Sequence, residues 1–264
     1  MNYLLSLLDL NTLIFAGIGF LAQLCDGALG MGFGVISSTV LTLVGLPREV
    51  VSATVNGAKI ITGAASSVSH LAFRNIDWRA LFMLSVAGAF GGLVGAWLLT
   101  QGQAKLVGPI VSGYLIFVGG YIIWKASHIE QVRISSSRTL GVGVAGGFLE
   151  SVSGVWGPLV TSNLVAFGLP ARLAVGTGNV AETVVAVVVF TVLVQHLGLA
   201  QLSRAAIGLV IGALFASPLA AHWTARLPKR RLMIGVGLMV ILTSVLRLAR
   251  DFGWIGKILP SMSM

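Results

Sequence analysis

Residues 80–99 read ALFMLSVAGAFGGLVGAWLL, with no charged side chain in the stretch. A helix of that length covers about 30 Å, the thickness of the hydrocarbon core of a bilayer. The rest of the chain has the same character. Of its 264 residues, 56% are apolar and only 9% charged, and the mean hydropathy is +0.96. A soluble domain carries about 25% charged residues. A soluble fold of this composition could not cover its own surface, so the sequence implies the bilayer as its solvent.

Reading outward from 80–99, a first series of apolar segments runs Leu13 to Leu24, Val35 to Val44, Val50 to Ala72, Ala80 to Leu99 and Leu106 to Trp124. A polar connector follows from Lys125 to Arg138. A second series runs Leu140 to Leu149, Leu159 to Phe167, Leu173 to Val194, Ala205 to Ala221 and Leu232 to Leu248. The two series match in detail. Gly45-Leu46-Pro47-Arg48 resembles Gly168-Leu169-Pro170-Ala171-Arg172, and the same offset pairs Thr54 with Thr177, Asn56 with Asn179, Ala58 with Ala181 and Lys59 with Glu182. Upstream, Gly19-Phe20-Leu21 resembles Gly147-Phe148-Leu149. Such internal similarity is the mark of a duplicated unit. It divides the chain into a first membrane repeat over 11–125, a cytoplasmic connector over 126–138 and a second membrane repeat over 139–250.

Charge gives the orientation. The net charge of +9 is spread through short connectors and forms no basic stripe, so nucleic-acid binding is not expected. With ten spans, one side collects Arg74, Arg79, Lys125, Arg133, Arg138, Arg172, Arg226, Lys229, Arg230 and Arg231. The other collects Arg48, Lys105, Arg204, Arg247, Arg250 and Lys257, and Lys59 falls inside a span. The richer side is expected to be cytoplasmic, which places both termini in the periplasm of a bacterial cytoplasmic (inner) membrane. An odd number of spans per repeat inverts one half relative to the other, as in many secondary transporters. If the short segments 35–44 and 159–167 re-enter instead of crossing, each half keeps four spans and the halves run parallel. The expected fold is therefore an all-α polytopic membrane protein of about 8–10 helices in two inverted pseudo-symmetric repeats, with short glycine-broken or re-entrant segments. The first helix is expected to be retained, because Met1 to Leu10 has neither the basic start nor the cleavage pattern of a secretory signal. Cys25, the sole cysteine, excludes an intramolecular disulfide and the usual zinc sites built from cysteines.

Candidate chemistry gathers where both repeats break. Gly30, Gly32 and Gly34 precede the second segment of the first copy, and Gly154, Trp156 and Gly157 precede that of the second. Glycine permits tight helix packing, and it also permits irregular backbone whose free amides can receive an anion. Around the breaks lie Gln23, Asp26, Ser37, Ser38 and Thr39, and in the other copy Glu150, Ser151, Ser153, Thr161, Ser162 and Asn163. Lys59 and Glu182 stand at one repeat position inside long apolar segments. An ionisable group there costs several kcal/mol unless it pairs or faces water. It is thus half of a structural ion pair, part of a transport site, or both. His70, His128, His196 and His222 show no spacing that suggests a metal site.

These residues carry a resemblance. The duplicated glycine breaks, with Gly-Leu-Pro followed by Ala53 to Asn56 and Gly176 to Asn179, resemble the TauE/SafE sulfite exporter family over Phe20 to Leu248. The usual run of adjacent glycines is spread here as Gly30-Met31-Gly32-Phe33-Gly34, so Met31, Phe33 and Trp156 are placed to reshape a pocket. The resemblance implies a secondary transporter, exporting more readily than importing, for small sulfur-containing anions such as sulfite or organosulfonates. In that reading Gly30, Gly32, Gly34, Ser37, Ser38, Asn56, Lys59, Ser153, Gly154, Trp156, Gly157, Thr161 and Asn179 bind the anion. Asp26, Glu150 and Glu182 are the candidates for proton coupling. The expected partners are the anion, the lipid bilayer and protons, with a homo-oligomer left open and no cofactor. A channel, or a transporter of another solute such as a metal cation, stands as the alternative. An intramembrane enzyme is disfavoured, because no Ser/His pair shares a segment centre and Asp26 is the only Asp near a span interior. No phosphate-binding loop is present.

Overall fold

The computed structural model describes residues 10–29, 31–102, 104–125, 135–199, 203–224 and 229–254. Among them are ten α-helices and no strand. The first five are α1 (Leu10–Leu29), α2 (Phe33–Val44), α3 (Arg48–Ala72), α4 (Trp78–Thr100) and α5 (Ala104–Lys125). The second five are α6 (Ser136–Ser153), α7 (Gly157–Ala166), α8 (Ala171–Leu197), α9 (Ser203–Thr224) and α10 (Lys229–Asp251). Each apolar segment of the sequence corresponds to one helix.

Local chemistry sets the helix ends. Pro47 and Pro170 stand immediately before α3 and α8, where a missing N–H costs nothing and the fixed φ suits a helix start. Asp77 caps α4 by accepting the Ala80 amide at 2.8 Å, a cap worth about 1 kcal/mol. The Arg74 to Asp77 turn also ties the two series together, because the Asp77 amide donates to Thr177 Oγ1 at 2.9 Å. At the far ends of α2 and α6, Gly45 and Gly154 take left-handed φ values of 112° and 70°. A side chain there would be strained.

The helices pack mainly as cross-series pairs. α1 lies on α9 and α4 on α6, each pair side by side in the same direction. Thus Gly208 meets Thr12 and Phe15, and Gly212 meets Ala16 and Phe20. Likewise Gly143 meets Leu84 and Ala87, and Gly95 meets Phe148 and Ser151. α3 and α8 run antiparallel, with Gly57 against Phe190 and Gly63 against Thr183, and α5 and α10 are antiparallel through Gly119 and Gly237. Glycine faces bring the backbones close, which is how helices gain contact where lipid tails remove the hydrophobic drive.

α4 and residues 172–197 of α8 are each long and apolar enough to cross a bilayer. Large apolar side chains such as Phe82, Phe90, Ile110, Phe117 and Phe215 are exposed on the outside of the bundle. In water such a surface would aggregate, and in lipid it is solvated. The chain is an all-α polytopic membrane protein. α2 and α7, by contrast, have only 12 and 10 residues, about 18 and 15 Å, roughly half a hydrocarbon core. Trp156, at the head of α7, packs back against Gly146 of α6, so the chain doubles back after Ser153.

Candidate functional site

The two breaks meet. Gly34 of α2 and Gly154 after α6 touch backbone to backbone, and the Lys59 ammonium of α3 lies against Gly34 as well. Only residues without a Cβ fit this crossing. Lys59 is 6% exposed, and its Nζ donates to Glu150 Oε1 and to Glu182 Oε1, each at 2.6 Å. α6 supplies Glu150, which is fully buried, and α8 supplies Glu182, whose side chain is 20% exposed. Glu150 Oε2 is buried without a hydrogen-bond partner among the described residues. One ammonium is therefore held by two carboxylates.

Glu182 and Lys59 face a cavity of about 60 Å³ lined also by Gln23, Asp26, Phe33, Thr62, Gly63, Ser66, Asn179 and Thr183. Its walls are mostly polar groups of α1, α3 and α8. Asn179 donates to Ser66 Oγ at 3.2 Å and lies 3.4 Å from the His70 ring, while Thr183 Oγ1 donates to the Asn179 carbonyl at 2.9 Å. A small polyatomic ion fits such a space, and its hydration could be replaced by an amide, hydroxyls and an ammonium.

Of the residues singled out in the sequence, the cavity gathers Gln23, Asp26, Phe33, Lys59, Asn179 and Glu182, with Glu150 directly behind Lys59. Lys59 and Glu182 form an ion pair, one of the alternatives their repeat position raised, and Glu150 joins it. Asp26 has a further task. Its Oδ1 accepts the amides of Gly32 at 2.6 Å and Phe33 at 3.0 Å, so the chain's own carboxylate already occupies the α2 N-terminus. These two amides are not free to receive a solute anion as the glycine pattern suggested.

The other candidates lie elsewhere. Ser38 Oγ lies 2.5 Å from the Gly34 carbonyl oxygen and 2.6 Å from the Ser153 carbonyl oxygen, which share its single hydroxyl proton, beyond the crossing from Lys59. Trp156 is fully buried, and its Nε1 donates to the Gly178 carbonyl at 3.0 Å. Gly157 and Thr161 are buried with it, and Thr161 abuts Gly178. Ser37 and Asn56 are buried, and Ser37 Oγ and Asn56 Oδ1 have no hydrogen-bond partner among the described residues. Gly30 lies outside the described residues.

Sequence reasoning missed one buried cation. Arg247, counted above among the connector charges, is 2% exposed inside α10. The signal was available, since Arg247 lies within the apolar run ending at Leu248, the same criterion that marked Lys59. Thr62, Ser66 and Thr183 were missed as well, because single hydroxyls in apolar helices carry no pattern.

Comparison with known proteins gives the family. The profile described as Sulfite exporter TauE/SafE matches residues 15–247. The probable membrane transporter protein YtnM of Bacillus subtilis (strain 168) is 32% identical over 255 residues, covering 93% of this chain and 84% of that protein. No solved structure matches the chain. The protein belongs to the Sulfite exporter TauE/SafE family of membrane transporters.

Proposed function

We propose that the protein is a proton-coupled secondary exporter of small sulfur-containing anions such as sulfite or an organosulfonate, which bind at Lys59. The observation that carries the reading is the ammonium shared by Glu150 and Glu182 at the wall of a polar cavity. With both carboxylates ionised the cluster is over-neutralised, and an entering anion meets net negative charge, reinforced by Asp26. A proton on one carboxylate removes that repulsion and frees part of the ammonium for the anion. Glu182 faces the cavity, so it is the natural proton acceptor, with Glu150 behind it.

The packing supports inverted halves over 11–125 and 139–250. Exchanging α1–α5 with α6–α10 carries the α1/α9 pair onto α6/α4 and leaves α3/α8 and α5/α10 as pairs. In this reading α1 with α2, and α6 with α7, are hairpins that return toward the side they left. Three full crossings then follow in each half, an odd net number. The start of α3 and the end of α10, joined by Arg48 and Asp251, then share the periplasmic side with both termini. The Lys59 cavity opens toward the cytoplasm, the side richer in Lys and Arg, as an exporter's loading site should.

Purified protein in liposomes, loaded with labelled sulfite, sulfoacetate, thiosulfate or sulfate under an imposed pH gradient, tests the proposal. Saturable flux of a sulfur anion that rises with the proton gradient is expected. Flux of none of these anions sinks the substrate reading, and flux indifferent to the gradient sinks the coupling.

A further inference from the structure

Arg247 is a second buried cation, and it differs from Lys59 in a decisive respect. Among the described residues it contacts no carboxylate. Its Nε donates to Thr39 Oγ1 at 2.8 Å, its Nη1 to the Ser153 carbonyl at 3.1 Å, and its Nη2 to the Val35 carbonyl at 3.1 Å and Ser38 Oγ at 2.5 Å. All four acceptors are neutral. A cation taken out of water costs several kcal/mol unless a counter-charge compensates it. Asp251, an acid whose charge acts on Arg247, is engaged by Arg48, whose Nη2 donates to both carboxylate oxygens.

The surroundings form a path. Ser38, Thr42, Arg48, Ser52, Ser153 and Arg247 line a cavity of about 10 Å³, room for one water-sized group. Thr42 and Arg48 also line an outer cavity of about 570 Å³ together with Glu49, Arg250 and Asp251. Arg250 Nη1 is buried there with no hydrogen-bond partner among the described residues. Arginines thus outnumber acids along the path, and Gly154 separates its inner end from Lys59.

We propose that Arg247 is a second anion station, which receives an oxyanion on the side of the Gly34–Gly154 crossing opposite Lys59. The assignment rests on the anion-transport reading above. A guanidinium presents a planar fork that matches two oxygens of a sulfite, sulfonate or carboxylate group, and a charged acceptor binds it more strongly than a hydroxyl or carbonyl. The anion takes the place of the Ser38 and Thr39 hydroxyls and the two carbonyls. These acceptors hold Arg247 across both breaks while the inner cavity is closed. Lys59 and Arg247 then serve alternate sides of one crossing.

The experiment measures labelled sulfite flux in oriented proteoliposomes, with the anion supplied from the α10 C-terminal side or from the opposite side. Arg247→Lys keeps the charge and loses the fork. It is expected to raise the half-saturation concentration about tenfold from the α10 C-terminal side, the loss of one charge-assisted bond, and to leave the opposite side unchanged. Equal shifts on both sides, or none, overturn the proposal, since a purely structural Arg247 has no reason to discriminate. Should Arg247→Lys fail to fold, Ser38→Ala, which removes an acceptor that the anion displaces, is expected to lower the half-saturation from the α10 C-terminal side alone, and equal shifts on both sides, or none, again overturn the proposal. If wild-type protein moves no sulfur anion, the transport reading falls. Protection against thermal unfolding by phosphate, present in wild type and lost in Arg247→Lys, would still uphold the station, and protection equal in both would overturn it.

Discussion

Gly34 and Gly154 are in backbone contact, and a Cβ built on Gly154 would stand 2.8 Å from the Gly34 carbonyl oxygen. A methyl group on Gly34 would meet the Gly154 carbonyl and the Lys59 ammonium, one of them backbone and the other tied to two acids. Neither can retreat cheaply. Gly34→Ala is expected to destabilise the protein by about 2 kcal/mol or more, seen as a lowered Tm in detergent. Gly17→Ala is the control, because among the described residues no atom outside its own helix lies within 4 Å of the added carbon, and its effect should stay within about 0.5 kcal/mol.

Lys59→Met removes the one cation that compensates Glu150, which is fully buried. Breaking a buried pair from one side costs about 3–5 kcal/mol, so the yield of monodisperse protein should fall sharply. Adding Glu150→Gln replaces the stranded charge with a neutral amide and should restore much of the yield. Anion flux should remain absent in both variants. Recovery of flux in the double variant would remove Lys59 from the transport site.

Glu182→Gln fixes one neighbour of Lys59 in an uncharged form. On the proposed coupling a proton is taken up before the anion binds, so apparent affinity should rise as pH falls. In the variant that requirement is met at every pH. Its half-saturation should lie near the acidic wild-type value, with a flattened pH dependence. Measuring half-saturation across pH 5 to 8 checks this, and an unchanged slope would exclude Glu182 as the coupling group.

Trp156→Phe keeps most of the ring volume and deletes the Nε1 bond to the Gly178 carbonyl. The lost bond should cost about 1 kcal/mol. Trp156→Ala opens a cavity among Gly88, Gly146 and Val185 and should cost about 3–5 kcal/mol. Thermal denaturation of the two variants gives the comparison directly.

The helices were legible because apolar length is written residue by residue, and the Lys59–Glu182 pair was legible because the repeat offset superimposes the two positions. The third member, Glu150, was visible only as an acid beside a break. Its approach to Lys59 depends on α6 crossing α3, a tertiary fact without a local signature. The Asp26 cap illustrates the opposite case. Glycine-rich sequence announces free amides, yet Oδ1 of an aspartate six residues before Gly32 satisfies them, and the sequence does not declare which anion sits there. Arg247 was legible in principle and was passed over because it lies close to the end of its segment, where an arginine ordinarily reaches the headgroups.

The cross-series pairing of the helices bears on how the chain is made. α1 emerges from the ribosome long before α9, and α4 before α6, so every early helix must wait in the bilayer with its glycine face open to lipid until its partner is inserted. The first half therefore has no finished fold of its own. Two polypeptides divided within residues 126–134 should each be degraded when produced alone, yet assemble when produced together, because each supplies the wall that the other lacks.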